Sequence, residues 1–401
     1  MGKEIKFFKE CIGIYLGKPA PDNFGRLFSR SNPDAINNLA AEHRLLGLMH
    51  YLNSNGFFKG LPFPDAVTKQ WKLTAWQNSF ENQLKDANAG TILQEIENQG
   101  IEYVYLKGMT IRQYHRTDYI CSSADMDLFI NKNSYSALKD LLLKNGYGIP
   151  APEKMMKDTV LNLSEFEESM NEIMFVRKDK TISYIIDVQW DFIGFGTKSP
   201  LHRLYEINDF ILEDTVRMPV GDDMFVNTPP MERQLYIMAF HHGLHHGFRG
   251  MKWFLDMGNF YIACKPDLVE LRKTLTRDSM KIVGIAVTLI REYAGLKKPD
   301  KAMRKLLCMD RLLPFELGFY RSMLFSSNEG LWSNISHRIV KLLLPYRHKD
   351  KFSVLYYLLF NPDSIVHRVE KDNAGKGLGN LRSIIRIISE NSRRYRRHPD
   401  E

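Results

Sequence analysis

The run Ser123-Ala124-Asp125-Met126-Asp127-Leu128-Phe129-Ile130 constrains this chain more than any other segment. Side chains on a strand alternate between faces, so Asp125 and Asp127 share one face, with Cα atoms about 6.5–7 Å apart. Met126 and Leu128 point to the other face, into a core. Two carboxylates this close repel one another unless a cation sits between them. Hard oxygen ligands of this kind suit Mg²⁺, which takes one or two carboxylates, several waters and substrate phosphates.

A third carboxylate stands in Ile185-Ile186-Asp187-Val188-Gln189-Trp190-Asp191. Ile186, Val188 and Trp190 form one face of this strand, and Asp187, Gln189 and Asp191 the other. A lone Asp in a strand is disfavoured by propensity and by burial. If this strand lies beside the first, three carboxylates converge, the arrangement for two ions about 3.5–4 Å apart during in-line displacement at phosphorus. Upstream, Leu106-Lys107-Gly108 closes a predicted strand and precedes a predicted helix. The Gly108 backbone can approach a phosphate there, and Lys107 can neutralise its charge.

The flanks read as helical. Asp34 to Met49 has apolar residues at helical spacing behind the start signal Asn32-Pro33-Asp34. Asp65 to Asn98 carries no Pro and ends at Gln99-Gly100, a C-cap signal. Ile101 to Leu106 is β-branched and aromatic and is predicted as a strand. Met126 to Ile130 is a second strand, and Tyr135 to Asn145 a helix stopped by Gly146. Glu172 to Arg177 and Thr181 to Trp190 flank Lys178-Asp179-Lys180 as a hairpin. After Pro229-Pro230 the chain turns helical again, most clearly over Met231 to His246, Met251 to Ala263, Met280 to Tyr293 and Pro314 to Leu324. The expected division is a helical region over 1–99, an α/β core over 100–228 and a helical region with a basic tail over 229–401.

Composition bounds the rest. The chain is 44% hydrophobic and 25% charged over 401 residues, ordinary values for a globular protein with a large core. Its longest apolar run, Phe352 to Phe360, falls far short of the ~20 residues that cross a bilayer. The N-terminus lacks the apolar stretch and cleavage site of a signal peptide, so a cytoplasmic protein is expected. Cys11, Cys121, Cys264 and Cys308 have no CxxC spacing, which argues against a disulfide framework and a cysteine-rich zinc site. The net charge of +8 admits a polyanionic partner without demanding one. Much of it lies in Arg393-Arg394-Tyr395-Arg396-Arg397, either a solvated tail or a contact for nucleic acid or acidic lipid. Asn373 to Asn380 is Gly-rich but lacks the P-loop spacing, and reads as a loop.

His241-His242-Gly243-Leu244-His245-His246 offers two i,i+4 histidine pairs, His241/His245 and His242/His246. Neither pair has the Glu of the zinc-protease signature. Packing against Trp253 or the sheet, and contact with substrate, are the two readings that remain in front of zinc. Asp256, one turn beyond Trp253, is placed to orient His246 or a sugar hydroxyl.

Leu106-Lys107-Gly108, Asp125-Met126-Asp127-Leu128-Phe129-Ile130, Gly146-Tyr147 and Ile186-Asp187-Val188-Gln189-Trp190 together resemble the uncharacterised nucleotidyltransferase family of the polymerase-beta superfamily. Leu39 to Met49 is similar to that family's N-terminal helix. His242, His246, Trp253 and Asp256 are similar to its C-terminal helical segment. The resemblance spans about residues 35–265. It implies an α+β fold, with a polymerase-beta-type domain of mixed sheet flanked by helical regions. It implies that Asp125, Asp127 and Asp187 are catalytic and hold Mg²⁺ or Mn²⁺. Lys107 and Gly108 would contact nucleotide phosphate, and His242, His246 and Asp256 substrate. The implied reaction transfers a nucleoside monophosphate from an NTP to an acceptor hydroxyl, releasing pyrophosphate. Basic residues are not interleaved with aromatics along any element, so a small molecule, sugar or peptide is favoured as acceptor over nucleic acid. Two departures stand out. Many relatives carry Arg where this chain has Cys121, leaving Arg112 or Arg116 as candidate replacements, and relatives often have His where this chain has Gln189. Both departures favour the alternative of a weak or inactive nucleotide-binding regulatory module. A nucleic-acid binder acting through the Arg393–Arg397 tail is the third reading.

Overall fold

The computed structural model describes residues 2–123, 125–150, 170–179, 182–193, 200–205, 207–221, 224–310, 312, 314–326, 339–341 and 343–360. The Gly-rich segment 373–380 and the basic run 393–397 lie outside the described residues. The fold is α+β, a small mixed sheet between helical flanks.

The chain opens with α1 (Lys3–Tyr15), α2 (Phe24–Ser29), α3 (Pro33–Glu42), α4 (Leu46–Ser54) and the long α5 (Asp65–Asn98). The sequence suggests one helix over Asp34 to Met49, but two form. Arg44 adopts a left-handed φ of 58° and breaks the run between α3 and α4. The start signal at Asn32 acts as read, its side chain accepting from the N–H groups of Asp34 and Ala35. Gly47 on α4 then lets the helix press onto the 119–120 backbone. A Cβ there would sit 2.1 Å from the Tyr119 carbonyl oxygen.

Four strands follow: β1 (Val104–Tyr105), β2 (Met126–Phe129), β3 (Glu172–Lys178) and β4 (Ser183–Gln189). The short α6 (Met109–Arg112) and α7 (Tyr135–Lys144) lie between them. The sheet order is β1-β2-β4-β3, with β2 and β4 parallel and the outer pairs antiparallel. β1 is shorter than its apolar run suggests, and its neighbour Leu106 still donates its N–H to the Asp127 carbonyl.

Two short helices, α8 (Pro200–Tyr205) and α9 (Ile207–Leu212), lead to a hairpin of β5 (Val216–Val220) and β6 (Met224–Thr228) that the sequence pattern did not reveal. The rest is helical: α10 (Met231–Phe240), a π-helical turn (His241–His245), α11 (Met251–Cys264), α12 (Leu268–Thr274), α13 (Arg277–Tyr293), α14 (Lys301–Leu306), α15 (Pro314–Met323) and α16 (His348–Phe360). Among the described residues, no helix is long and apolar enough to cross a membrane.

Two apolar clusters hold these elements. Met126, Leu128, Ile130, Ile186 and Val188 pack from one sheet face against Ile92, Leu93 and Ile96 of α5 and Leu138 and Leu142 of α7. The second cluster joins both flanks, from Phe7, Phe8 and Ile12 of α1 to Ile282, Val283 and Ile290 of α13. α1 therefore packs on a helix nearly three hundred residues away in sequence.

Gly47→Ala is expected to destabilise the protein by about 1–3 kcal/mol, because backbone and not a flexible side chain must move. Gly25→Ala on α2, with nothing within 4 Å of its added Cβ, is the control. Urea unfolding checks the pair; equal midpoints for the two variants would refute the close-packing account.

Candidate active site

The acidic face is set by strand register. β2 and β4 run parallel with Asp127 paired to Asp187. Adjacent strands lie about 4.8 Å apart, so the two carboxylates stand side by side on one face. Asp125 immediately precedes β2. Asp125, Asp127 and Asp187 each offer a carboxylate oxygen within 4.8 Å of the others. Two unit charges at that separation repel by about 3 kcal/mol at an effective dielectric near 20. Burial, reinforced by the charge of Asp125, raises the pKa of Asp127. Burial, then the charges of Asp127 and Asp125, pushes Asp187 up to about 8. The face thus holds a proton at neutral pH unless a cation replaces it. Three hard oxygen donors converging this closely fit a hard divalent cation, and Asp125, Asp127 and Asp187 are the residues that would hold it.

These carboxylates line a cavity of about 390 Å³. Lys107, Gly108, Arg112, His242, His246 and Asp256 line it too, so the predicted site residues share one space. Lys107 Nζ lies 3.1 Å from Asp127 Oδ1 and 3.2 Å from His241 Nε2. An ammonium only donates, so His241 must present a bare Nε2 and carry its proton on Nδ1. Burial, then the Lys107 charge, keeps that ring neutral by lowering its pKa well below the ordinary value. Gly108 takes a φ of 69°, and a Cβ there would meet the Tyr105 hydroxyl at 2.5 Å, so glycine is required twice over. Arg112 pairs with Asp86 through Nη2, while its buried Nη1 has no hydrogen-bond partner among the described residues. Arg116, the other candidate for the missing arginine, instead packs over the Tyr15 and Tyr51 rings and does not line the cavity.

The histidines depart from the helical reading. Residues 241–245 wind as a π-helix, and the expected i,i+4 pair His241/His245 stacks at 5.3 Å. His241 and His246, five apart, meet edge to face at 4.6 Å. His246 stacks on Trp253 at 3.9 Å, the packing expected as its bland reading. His242 is buried, with Nε2 2.9 Å from the Arg249 carbonyl oxygen, and burial lowers its pKa to about 4. The two oxygens of Asp256 contact His115 and Lys252.

Sequence reasoning missed several lining residues. Glu172 pairs across to Gln189 in the β3–β4 register and adds an exposed carboxylate to the cavity. Gln189 Nε2 itself donates to Asp127 Oδ1 at 3.3 Å. That contact was legible in the alternation, which placed Gln189 on the face of Asp187. His115, Cys121 and Lys252 also line the cavity. His115 is marked by nothing local, since its Asp256 partner lies far along the chain, whereas Lys252 pairs with Asp256 one turn away.

A carboxyl whose folded pKa exceeds its unfolded value binds its proton more tightly when folded. Between the unfolded value and about 8, rising pH therefore subtracts stability. In EDTA, Tm is expected to fall from pH 5.5 to 8.5, and Asp187→Asn to raise the pH 8.5 value by about 2 °C or more. Thermal scans of both proteins check this; an Asp187→Asn effect that is the same at both pH values would show that Asp187 is not held protonated.

No curated protein matches the chain. Residues 29–293 match the family described as uncharacterised nucleotidyltransferase, about two thirds of the chain, including the whole acidic face and the histidine turn. The chain belongs to that uncharacterised nucleotidyltransferase family.

Proposed function

We propose that this protein is a Mg²⁺- or Mn²⁺-dependent nucleotidyltransferase of the polymerase-beta fold, acting on an NTP and a non-nucleic-acid acceptor hydroxyl. The observation that carries the reading is the convergence of Asp125, Asp127 and Asp187 within 4.8 Å in a cavity that also holds Lys107 and Arg112. Family membership gives the reaction class. In this reading the nucleotidyltransferase unit spans residues 100–228, between helical regions over 1–99 and 229–401. The protein would work in the cytoplasm, beside its NTP supply.

Each residue has a stated task. Asp125, Asp127 and Asp187 hold the divalent cation, which when bound supplies positive charge to the transferring phosphoryl group. Lys107 and the orphan Nη1 of Arg112 are donors for phosphate oxygens. The Gly108 backbone leaves room for a close approach. The acceptor oxygen attacks the α-phosphorus, the bond from that phosphorus to the pyrophosphate oxygen breaks, and the hydroxyl proton passes to Asp187. His242, His246 and Asp256 bound the side of the cavity where the acceptor would enter. The cavity walls carry one tryptophan and no ladder of aromatics, which favours a small molecule, sugar or peptide side chain.

The test is pyrophosphate release from each of the four NTPs with Mg²⁺ or Mn²⁺, using a cell extract as acceptor source. Release is expected with at least one NTP, and the Asp125→Ala/Asp127→Ala double variant is expected to lower it by about a hundredfold or more. Release untouched by the double variant would remove these residues from the reaction. Metal-dependent NTP binding without release would favour the regulatory module, for which Cys121 and Gln189 are the supporting departures.

A further inference from the structure

A second cluster, His115, Cys121, Lys252 and Asp256, lines the same cavity as the acidic triad. Tyr15, the last residue of α1, accepts the Arg116 backbone N–H at 3.3 Å, and its hydroxyl lies 2.8 Å from His115 Nδ1. With that hydroxyl donating, His115 carries its proton on Nε2, 2.9 Å from Asp256 Oδ1. Asp256 Oδ2 accepts from Lys252 Nζ at 3.0 Å, one turn away on α11. Donation therefore converges on Asp256, from Tyr15 through His115 on one side and from Lys252 on the other.

Lys252 ends that series of contacts. Asp256 is its one hydrogen-bond partner among the described residues, although an ammonium has three donors. Its charge also acts on Asp127, and the charge of Asp125 acts on it. His115, Cys121 and Asp256 place donor atoms within 4.8 Å of one another, which raises the question of a metal there. The Lys252 ammonium already provides the cation at that carboxylate. Burial, with the Asp256 charge, also pushes the Cys121 thiol well above its ordinary range and so against the thiolate a metal needs.

We propose that Lys252 is a phosphate-binding cation of this cavity, and that Asp256, His115 and Tyr15 are positioning residues that aim it. The proposal rests on the nucleotide-site reading above. An ammonium with free donors, anchored by a half-buried carboxylate and lining the same cavity as the triad, is preorganised for a polyphosphate tail. Lys252 would stand opposite Lys107, so the tail is gripped from both the sheet and the helical shell. The role implies that α1, which precedes the family-matched segment, contributes to substrate binding through Tyr15.

The probe is inorganic tripolyphosphate with Mg²⁺, titrated by calorimetry. Lys252→Met/Asp256→Asn removes the ion pair as a unit and so leaves no uncompensated buried charge. It is expected to bind tripolyphosphate about ten- to a hundredfold more weakly than wild type, as for loss of one charge-assisted contact. His115→Gln keeps an N–H for Asp256 and is expected to bind near wild type, whereas His115→Leu is expected to bind more weakly. A second measurement avoids folding effects: in the wild-type protein, saturating tripolyphosphate should slow reductive methylation of Lys252, read by mass spectrometry. If wild type binds but the pair variant binds equally well, or methylation is not slowed, the Lys252 proposal is overturned and the nucleotide-site reading stands. Equal binding by His115→Gln and His115→Leu overturns the positioning role. A wild-type protein that binds neither tripolyphosphate nor any NTP overturns both readings.

Discussion

The parallel pairing of β2 with β4 is the contact on which the rest of the site depends. It brings Asp127 opposite Asp187 although sixty residues separate them. Because strand side chains alternate with a period of two, a slip of one residue would turn one carboxylate into the apolar cluster against α5 and α7. Met126 and Leu128 on β2, or Ile186 and Val188 on β4, oppose that slip, since the slipping strand's pair would leave that cluster. The core thus enforces an electrostatically unfavourable juxtaposition. The repulsion is answered by Lys107 on one side and by a proton on Asp187.

The helical shell answers a different need. A cavity of this depth needs walls, and the sheet supplies only one. The others come from α6, the π-helical turn and α11, which carry Arg112, His241 and Lys252 respectively. These elements are fixed by the cluster that runs from α1 to α13. A ligand group on α11 is therefore positioned by contacts made at the start of the chain, as the Tyr15 to Lys252 connection illustrates.

What could be read from the sequence follows from the range of the interactions involved. The alternation around Asp125, Asp127 and Asp187 reports its own faces, because a strand's two sides are encoded by neighbours two residues apart. The end of α5 was equally legible, because Gln99-Gly100 is a local stop signal. Arg44 was not, since its left-handed conformation serves the docking of α4 onto the 119–120 backbone. The β5–β6 hairpin escaped notice because its pattern is weak: Phe225 is exposed, and Pro219 interrupts β5. His115 gains its place through Asp256, and no local pattern announces a partner more than a hundred residues away.

The histidine turn shows how tertiary context reassigns a suggestive motif. Four histidines at 241, 242, 245 and 246 look like metal ligands when drawn on an ideal α-helix. The π-helical winding lets His241 meet both His245 and His246, while the ring nitrogens and faces of the others turn to separate surroundings. His242 turns to the Arg249 carbonyl, His245 has Nε2 2.6 Å from the Phe192 carbonyl oxygen, and His246 lies flat on Trp253. Burial holds His242 and His245 at about 4, so neither adds charge at neutral pH. That neutrality has a consequence for the cavity. With His241, His242 and His245 neutral, Lys107, Arg112 and Lys252 supply the fixed positive charges of its lining. His241 can then accept from Lys107 without competing for the anion that Lys107 would bind. The histidines act here as neutral walls that aim a few fixed cations at the carboxylate face.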